Sequence, residues 1–171
     1  MLKISIYLQN LGLYTKGQIM GKYIDLMPNI DWATELADIL VADGSEYEEC
    51  FISDYDANFD IEINEYTSIK ELNALADILY DVNSNYDEDT FLALLEYTGD
   101  TLEAYKLLSC GDYTLLMDCH SDEEVGIYLI DEGLLFDNLS DEIKRYLDYE
   151  AIGRDYVLNT AGMYTDKGYI F

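Results

Sequence analysis

Carboxylates dominate long stretches of this chain, and few cations oppose them. Thirteen Asp and Glu lie between Lys22 and Lys70, a stretch without Lys, Arg or His. Ten more lie between Lys106 and Lys144, opposed only by His120. In all, 36 Asp and Glu face 9 Lys and Arg, for a formal charge of −27. Such an excess is typical of disordered chains, so folding depends on whether the apolar residues suffice for a core.

The apolar content is high enough for that core. Half of the 171 residues are hydrophobic and 13% are aromatic, including 17 tyrosines. Burial of these side chains can offset the entropy that is lost on ordering the chain. One proline and 11 glycines also argue against a low-complexity sequence. The length fits one ordinary domain or two to three small ones.

The negative charge is as dense as that of DNA. At one charge per roughly 1.7 Å of duplex axis, 27 charges correspond to about 46 Å of DNA. A compact chain of this length is about 40 Å across. Such a surface attracts proteins that hold nucleic acid, and it repels DNA and anionic lipid. We therefore expect neither nucleic acid nor a membrane as a partner.

The cysteines and the apolar runs indicate a cytoplasmic protein. Cys50, Cys110 and Cys119 are too few, and odd in number, for a disulfide framework, which favours a reducing compartment. The first ten residues show no features of a secretory signal. No window of 18 apolar residues is present, so we expect no membrane span.

Residues 1–65 have the pattern of an α+β domain. Asp31 is predicted to cap a helix, and Asp43-Gly44 to form a turn after it. Alternating apolar residues predict strands at 3–8, 23–27, 50–53 and 59–63.

Residues 66–110 have a helical period instead. Ser68 and Glu71 form a capping box before an apolar stripe. A second helix is predicted to stop before Gly99, and a third near Gly111. We therefore predict a helical middle domain.

Residues 111–171 return to mixed structure. Alternation predicts a strand from Tyr113 to Cys119, with its odd-numbered residues on one face. Ser121 and Glu124 form a second capping box, and Ser140 is predicted to cap a helix that extends to Ala151. Further strands are predicted at 156–160 and 169–171, with a turn at 166–168. The predicted fold class is α+β: three small domains in a row, elongated, with the helical domain between two mixed domains with antiparallel sheets.

Three motifs suggest ligand sites, and each is incomplete. Asp54 to Glu65 has acids or amides at the spacing of a calcium loop, but Phe59 occupies the position where that loop needs glycine. Alternation of Phe59, Ile61 and Ile63 favours a strand with one solvated face. Gly12 and Gly17 have phosphate-loop spacing, but the required lysine and hydroxyl residue do not follow. The spacing of Cys110, Cys119 and His120 matches no standard zinc site.

We therefore predict no metal and no cofactor. A single histidine and scattered cysteines argue against a nucleophilic enzyme. A pair of acids for hydrolysis cannot be singled out among 36, so a small carboxylate-based hydrolase stays open as an alternative. A surface adapted to high salt would also be acidic, but here the charge is uneven: residues 31–103 hold 21 acids and one base.

Several segments occur in a specific order along residues 4–170. They are Tyr7–Tyr14 with Gly17 and Gly21, Asp54–Tyr55 with Glu65–Asn73, and Tyr128–Gly133 with Tyr146–Asp155. In order and spacing these segments resemble the ArdA antirestriction proteins. The chain departs from that pattern at Tyr23, where the family often has Trp, and at Ile152, where it often has Tyr.

The resemblance implies a mode of action without catalysis. It implies a homodimer joined through the C-terminal domain, forming a long curved body that imitates bent B-form DNA. That body would occupy the DNA-binding groove of Type I restriction–modification enzymes and protect incoming DNA of mobile elements. An acidic mimic aimed at another DNA-binding target, such as a CRISPR complex, stays open as an alternative.

Two groups of residues are expected to carry this function. The DNA-mimicking surface is expected to comprise Asp43, Glu46, Glu48, Glu49, Asp54, Asp56, Asp60, Glu62, Asp77, Asp81, Asp87, Glu88, Asp89, Glu96, Asp100, Glu103, Asp122, Glu123, Asp131 and Glu132. The C-terminal domain has more aromatic residues than it can bury alone, which favours a homodimer. The dimer-interface candidates are Tyr146, Tyr149, Arg154 and Tyr164. Because such a surface offers no base edges, we expect it to act regardless of recognition sequence.

Overall fold

The computed structural model describes residues 1–40, 49–136 and 139–171. Within them the chain is mixed α/β, with helical segments between strand-containing ends and two antiparallel three-stranded sheets. The predicted fold class is confirmed in this respect. The chain divides into two compact units, Met1–Glu88 and Asp89–Phe171. The finer division into three domains at residues 65 and 110 stays a prediction.

Fourteen helices and strands lie in the described residues. Those of the first unit are β1 (Ile4–Asn10), α1 (Leu11–Tyr14), β2 (Gly21–Asp25), α2 (Trp32–Ala37), β3 (Cys50–Ala57) and α3 (Ile69–Asn85). The next helix, α4 (Glu88–Thr98), begins at the last residue of that unit. The others of the second unit are α5 (Thr101–Cys110), β4 (Leu115–Met117), α6 (Asp122–Asp131), α7 (Asp141–Lys144), α8 (Tyr149–Thr160), β5 (Met163–Thr165) and β6 (Gly168–Ile170).

The sheet of the first unit has the order β2-β1-β3. A β-bulge in β3 sets which of its side chains face the core. Tyr7 lies opposite Asp54 while Leu8 lies opposite Ile52, so Ser53 is the extra residue. The bulge therefore places buried Ile52 beside buried Leu8, and exposed Asp54 beside Tyr7 on the other face.

Helix caps follow the predicted chemistry in the first unit. The Asp31 side chain accepts from Thr34 N at the start of α2. Ser68 and Glu71 form the capping box of α3, with Ser68 N donating to Glu71 Oε2 at 2.8 Å. The apolar stripe of α3 is buried, with five side chains in the core: Leu72, Ala76, Ile78, Leu79 and Val82. The Asp43-Gly44 turn lies outside the described residues.

The second unit has its own core. Its sheet has the order β4-β6-β5, and the predicted turn at 166–168 joins β5 to β6. The core cluster contains Leu116, Cys119, Val125, Leu129 and Tyr169. As predicted, α4 stops before Gly99 and α5 ends at Gly111, which adopts a left-handed conformation with φ of 67°.

The strand predicted at 59–63 is wrong. This segment is irregular, although its burial still alternates: Phe59, Ile61 and Ile63 are half-buried, and the acids between them are exposed. The chain returns to the edge of β3 only at Glu65, whose carbonyl accepts from Ile52 N at 2.8 Å. The alternation of apolar residues thus indicated that one side of this segment is partly buried, and not that the segment pairs with a neighbouring strand.

The strand predicted at 113–119 is shorter, and its buried face is wrong. Leu116 is 3% exposed, whereas Met117 is 39% exposed. Asp118 has a φ of 59°, which breaks the alternation just before buried Cys119. The left-handed conformation of Asp118 therefore turns the Cys119 side chain into the core. Cys119 and Met117 do not share a face, contrary to the prediction from strict alternation.

The helix predicted from Ser140 to Ala151 is two helices. Asp148 caps the second, α8, with its Oδ1 accepting from Ala151 N at 3.0 Å. The strand predicted at 156–160 is wrong, because these residues continue α8. Tyr156 and Val157 pack against the core cluster from that helix, so tertiary packing overrides their preference for strands.

Candidate functional site

The carboxylates form an extended surface layer rather than a localised site. In the part of the chain that the structure describes, no Asp or Glu side chain is buried. Three candidate residues of the acidic surface, Asp43, Glu46 and Glu48, lie outside the described residues. Among the remaining candidates, three are half-buried, namely Asp81, Glu88 and Asp122. All the others are exposed.

Local structure explains why acids occupy these positions. Several lie in the first turn of a helix, such as Glu103 in α5 and Asp122 and Glu123 in α6. Others, such as Asp100, are N-caps, with its Oδ1 accepting from Glu103 N at 2.8 Å. Negative charge is stabilised there by the helix dipole and by free backbone N–H groups. Asp77 instead lies on the exposed side of α3, opposite the buried stripe.

Some carboxylates are held in the ionised form by hydrogen bonds. Side-chain and backbone bonds from Thr34 lower the pKa of Asp31, and bonds from Ser68 lower the pKa of Glu71. The backbone N–H of His120 donates to Glu124 Oε2 at 2.7 Å and lowers the pKa of Glu124. Ser121 Oγ accepts from Glu124 N, as the predicted capping box requires, but the Glu124 carboxylate accepts from the N–H of His120, one residue before the N-cap. These acids therefore stay charged near neutral pH.

Several of the few cations are engaged by neighbouring acids. Lys22 Nζ lies 2.8 Å from Glu35 Oε2 and 2.6 Å from Asp38 Oδ2, and these bonds raise the pKa of Lys22. Lys144 Nζ lies 2.7 Å from Asp131 Oδ1, and its pKa is raised in the same way. Nine Lys and Arg cannot neutralise 36 acids even when all are paired. The surface therefore keeps a strongly negative potential.

The dimer-interface candidates differ in exposure. Tyr146 is 90% exposed, and Arg154 is also exposed. Tyr149 is half-buried and donates from its hydroxyl to Lys144 O at 3.0 Å. Tyr164 packs against the core cluster and donates to Asp122 Oδ1 at 2.6 Å. Their role in an interface stays a prediction.

Sequence reasoning missed an exposed apolar group in the second unit. Leu134, Leu135 and Phe136 are 59%, 43% and 51% exposed, and Ile143 is 51% exposed. The signal was present, because three large apolar residues follow Gly133 directly after α6. Large exposed apolar groups of this kind commonly mark interaction surfaces.

A cavity of about 300 Å³ lies in the first unit. Apolar side chains line most of it, and Glu65 is the one carboxylate among its described lining residues. A hydrolase would need two acids whose environments push their pKa values apart. This cavity does not provide that pair.

The metal-like motifs do not assemble. In residues 1–40, 49–136 and 139–171, no group of three His, Cys, Asp or Glu is placed to hold a metal ion. Cys119 is buried and donates to Glu124 O, while Cys110 is exposed at the end of α5. Asp54 and Asp56 lie on strand β3 rather than in a turning loop. None of the helices in these ranges is long and apolar enough to span a bilayer.

The chain matches a known protein family over nearly its whole length. Residues 6–171 match the family model described as Antirestriction protein (ArdA). None of the curated proteins that were compared matches the chain. The matched stretch covers nearly the whole sequence and includes almost all of both compact units. The resemblance predicted from the short segments is thereby confirmed: this chain belongs to the ArdA family of antirestriction proteins.

Proposed function

We propose that this antirestriction protein imitates bent B-form DNA and occupies the DNA-binding groove of Type I restriction–modification enzymes. One observation carries the proposal. Every described carboxylate is at least partly exposed, in both compact units, and nine cations oppose 36 acids. The charge is therefore presented to a partner along nearly the whole chain.

The energetics of DNA binding make such a surface an effective competitor. A protein that holds DNA gains much of its affinity from Lys and Arg contacts with phosphates. Each exposed ion pair contributes about 0–1 kcal/mol, so a tight complex must add many of them. Exposed carboxylates distributed over both units meet that requirement, whereas a single acidic cluster would not.

The spacing of two charges on β3 supports the comparison with DNA. Asp54 and Asp56 are two residues apart on β3 and project on the same side, so they are separated by about 6.8 Å. That distance equals about two base steps of 3.4 Å on one DNA strand. Asp25 lies two strands away from Asp56 in the same row, at roughly 9.6 Å.

We also propose a homodimer joined through the second unit. The large apolar side chains that this unit exposes support an interface there: Leu134, Leu135, Phe136, Ile143 and Tyr146. Two chains of −27 repel each other, so their contact must be apolar or include Arg and Lys side chains. Arg154 is an exposed cation of this unit that could serve there. Added salt should then strengthen the dimer by screening the repulsion.

A plating assay tests the proposed function. Unmodified phage is plated on a host with a Type I restriction enzyme, with and without this protein. We expect plating to recover towards the level on a non-restricting host. Purified protein should inhibit DNA cleavage competitively with DNA, and a gel shift with naked duplex should show no complex. Unchanged restriction in the cell together with non-competitive behaviour in vitro would contradict the proposal.

A host that carries a CRISPR system and no restriction enzyme provides the second arm. Protection there, without protection against Type I restriction, would instead indicate an acidic mimic with another DNA-binding target. Loss of restriction without any effect on DNA binding would indicate an enzymatic action. We expect neither outcome, and we expect the protection to be independent of the recognition sequence of the enzyme.

A further inference from the structure

The outer face of the amino-terminal sheet carries two tyrosines among three aspartates. Strand register places Tyr23 of β2, Tyr7 of β1 and Asp54 of β3 in one row. The next row carries Asp25 on β2 and Asp56 on β3. Tyr7 is half-buried, and the other four side chains are exposed. The core side chains of this sheet lie on the opposite face.

The ring of Tyr23 is fixed across this face. Its centroid lies 4.9 Å from that of Tyr7, with the ring planes at 60°. Its hydroxyl donates to Asp54 Oδ2 at 2.8 Å, although Asp54 is two strands away, at roughly 9.6 Å between strand axes. Tyr23 therefore reaches over Tyr7 and is tethered at its far end. The residue is still 52% exposed, so the side of the ring away from Tyr7 faces solvent.

We propose that this sheet face is a docking surface for arginine side chains of a protein partner. A guanidinium would stack on the open side of the Tyr23 ring and direct its N–H groups at the neighbouring aspartates. The partner's identity, a basic DNA-binding groove, rests on the proposed function. The preference for arginine rests on the geometry of this face.

Charge complementarity selects a cationic occupant. Three carboxylates surround the rings, and Lys3, just before β1, is the cation that strand alternation places nearest on this side. Lys22 of β2 alternates to the other face, where Glu35 and Asp38 hold it. Asp54 accepts from Tyr23 and from Tyr55 N, but a carboxylate has about four acceptor sites, so it can accept further bonds.

The planar ring selects arginine over lysine. A guanidinium is flat, weakly hydrated and able to stack on an aromatic face while its edge donates to carboxylates. An ammonium is strongly hydrated and gains mainly from charge. The phosphates of DNA offer a bound arginine negative charge but no aromatic ring on which its guanidinium could stack. This face would therefore add to the complex a contribution that salt weakens less than the surrounding ion pairs.

Binding of end-capped peptides of six arginines or six lysines tests the proposal directly. Calorimetry should show tighter binding of the arginine peptide to the full-length protein, by about threefold to tenfold. Tyr23→Leu should remove most of this preference while leaving binding of the lysine peptide unchanged. Tyr80→Leu is the matched control, because Tyr80 is 62% exposed on α3 of the same unit. The preference should survive in that variant.

A further variant guards against misfolding as the explanation. Tyr23→Trp supplies a better cation–π ring, so it should retain or increase the preference for arginine. Equal binding of both peptides to the wild-type protein would overturn the proposal. So would a full preference in Tyr23→Leu, or its loss in Tyr23→Trp with the melting temperature unchanged.

The peptide result is independent of restriction. A protein that prefers arginine at this face but inhibits no restriction enzyme would contradict the proposed function and leave the docking surface intact. Inhibition of the enzyme by a protein that binds both peptides equally would contradict the docking surface alone.

Discussion

Gly126 and Gly153 bring the backbones of α6 and α8 into direct contact. A Cβ on Gly153 would lie 1.7 Å from Asp122 O, and one on Gly126 would lie 2.0 Å from Tyr149 O. Real Cβ atoms do not approach a carbonyl oxygen so closely, and both obstacles are backbone atoms that no rotamer change can move. The crossing of the two helices therefore depends on glycine at both positions.

Gly126→Ala and Gly153→Ala should each destabilise the fold. In an exposed helix this change gains about 1 kcal/mol from helix propensity. Here the helices must separate to admit the methyl group. We therefore expect the free energy of unfolding to fall by about 1–3 kcal/mol, as for an overpacked core. Urea unfolding measures the change. Leu158→Ala, at a 74% exposed position of α8, is the control and should change stability by less than about 0.5 kcal/mol. Stability gained in either glycine variant would show that the helices can separate freely.

Local chemistry was predictable from the sequence, and non-local packing was not. The caps of α2 and α3 were predicted correctly because a side chain and a backbone N–H three residues away decide them. The segment 156–160 was assigned to a strand because Tyr and Val favour strands. Its helical state depends on packing against the core around Leu129 and Tyr169. That packing involves residues distant in the sequence, so the local pattern of 156–160 does not predict it.

The surface shows the same limit. Charge and spacing predicted that the carboxylates would be exposed, since burying an unpaired ionised acid costs a large desolvation free energy. The bulge at Ser53, which directs Asp54 outward, could not be predicted because it depends on how β3 pairs with β1. The tethered Tyr23 ring depends on the same register. Tyr164 was predicted at an interface, and its ring packs against the core cluster of its own unit.

Alkaline pH should destabilise the second unit through Tyr164. Burial and the bond to Asp122 raise the pKa of Tyr164 above its ordinary value near 10. The folded state then holds the phenolic proton more tightly than the unfolded state. This contribution to stability is complete below the unfolded pKa, and it is lost as pH rises through the folded pKa. Tyr164→Phe should be less stable at pH 8 and should lose less stability between pH 9.5 and 11. Parallel melting curves over that range would contradict this.

Acid should remove the contribution of the caps. The pKa of Glu71 is lowered by its bonds from Ser68, so the folded state binds its proton less readily than the unfolded state. The resulting stability is present above the unfolded pKa, and it is lost as pH falls through the folded pKa. Glu71→Gln keeps a hydrogen-bond acceptor but cannot titrate. Its melting temperature should therefore fall less than that of the wild type between pH 5 and pH 2.5. An equal fall in both proteins would contradict this prediction.

Salt should move stability and inhibition in opposite directions. Screening reduces repulsion among the surface acids, so the melting temperature should rise as NaCl increases from 0.05 to 0.5 M. The same screening weakens attraction to a basic groove, so inhibition of DNA cleavage should decline over that range. Both are measured in the same buffers, with the salt dependence of cleavage itself as the reference. A melting temperature that does not respond to salt would mean that the acids are too dispersed to interact.

Inhibition should depend on many acids together rather than on any one. Each exposed carboxylate contributes about 0–1 kcal/mol to such a complex, so a single change such as Asp77→Asn should weaken inhibition by less than about tenfold. Neutralising Asp60, Glu62 and Asp77 together should weaken it further, as should neutralising Glu103, Glu123 and Glu132 in the second unit. All six are exposed, and amide replacements preserve their size. The two blocks belong to different units, so their effects should add, and each should reduce the slope of log inhibition against log salt. The idea would be falsified if one conservative change in this set abolished inhibition while the melting temperature stayed unchanged, because that behaviour belongs to a catalytic carboxylate.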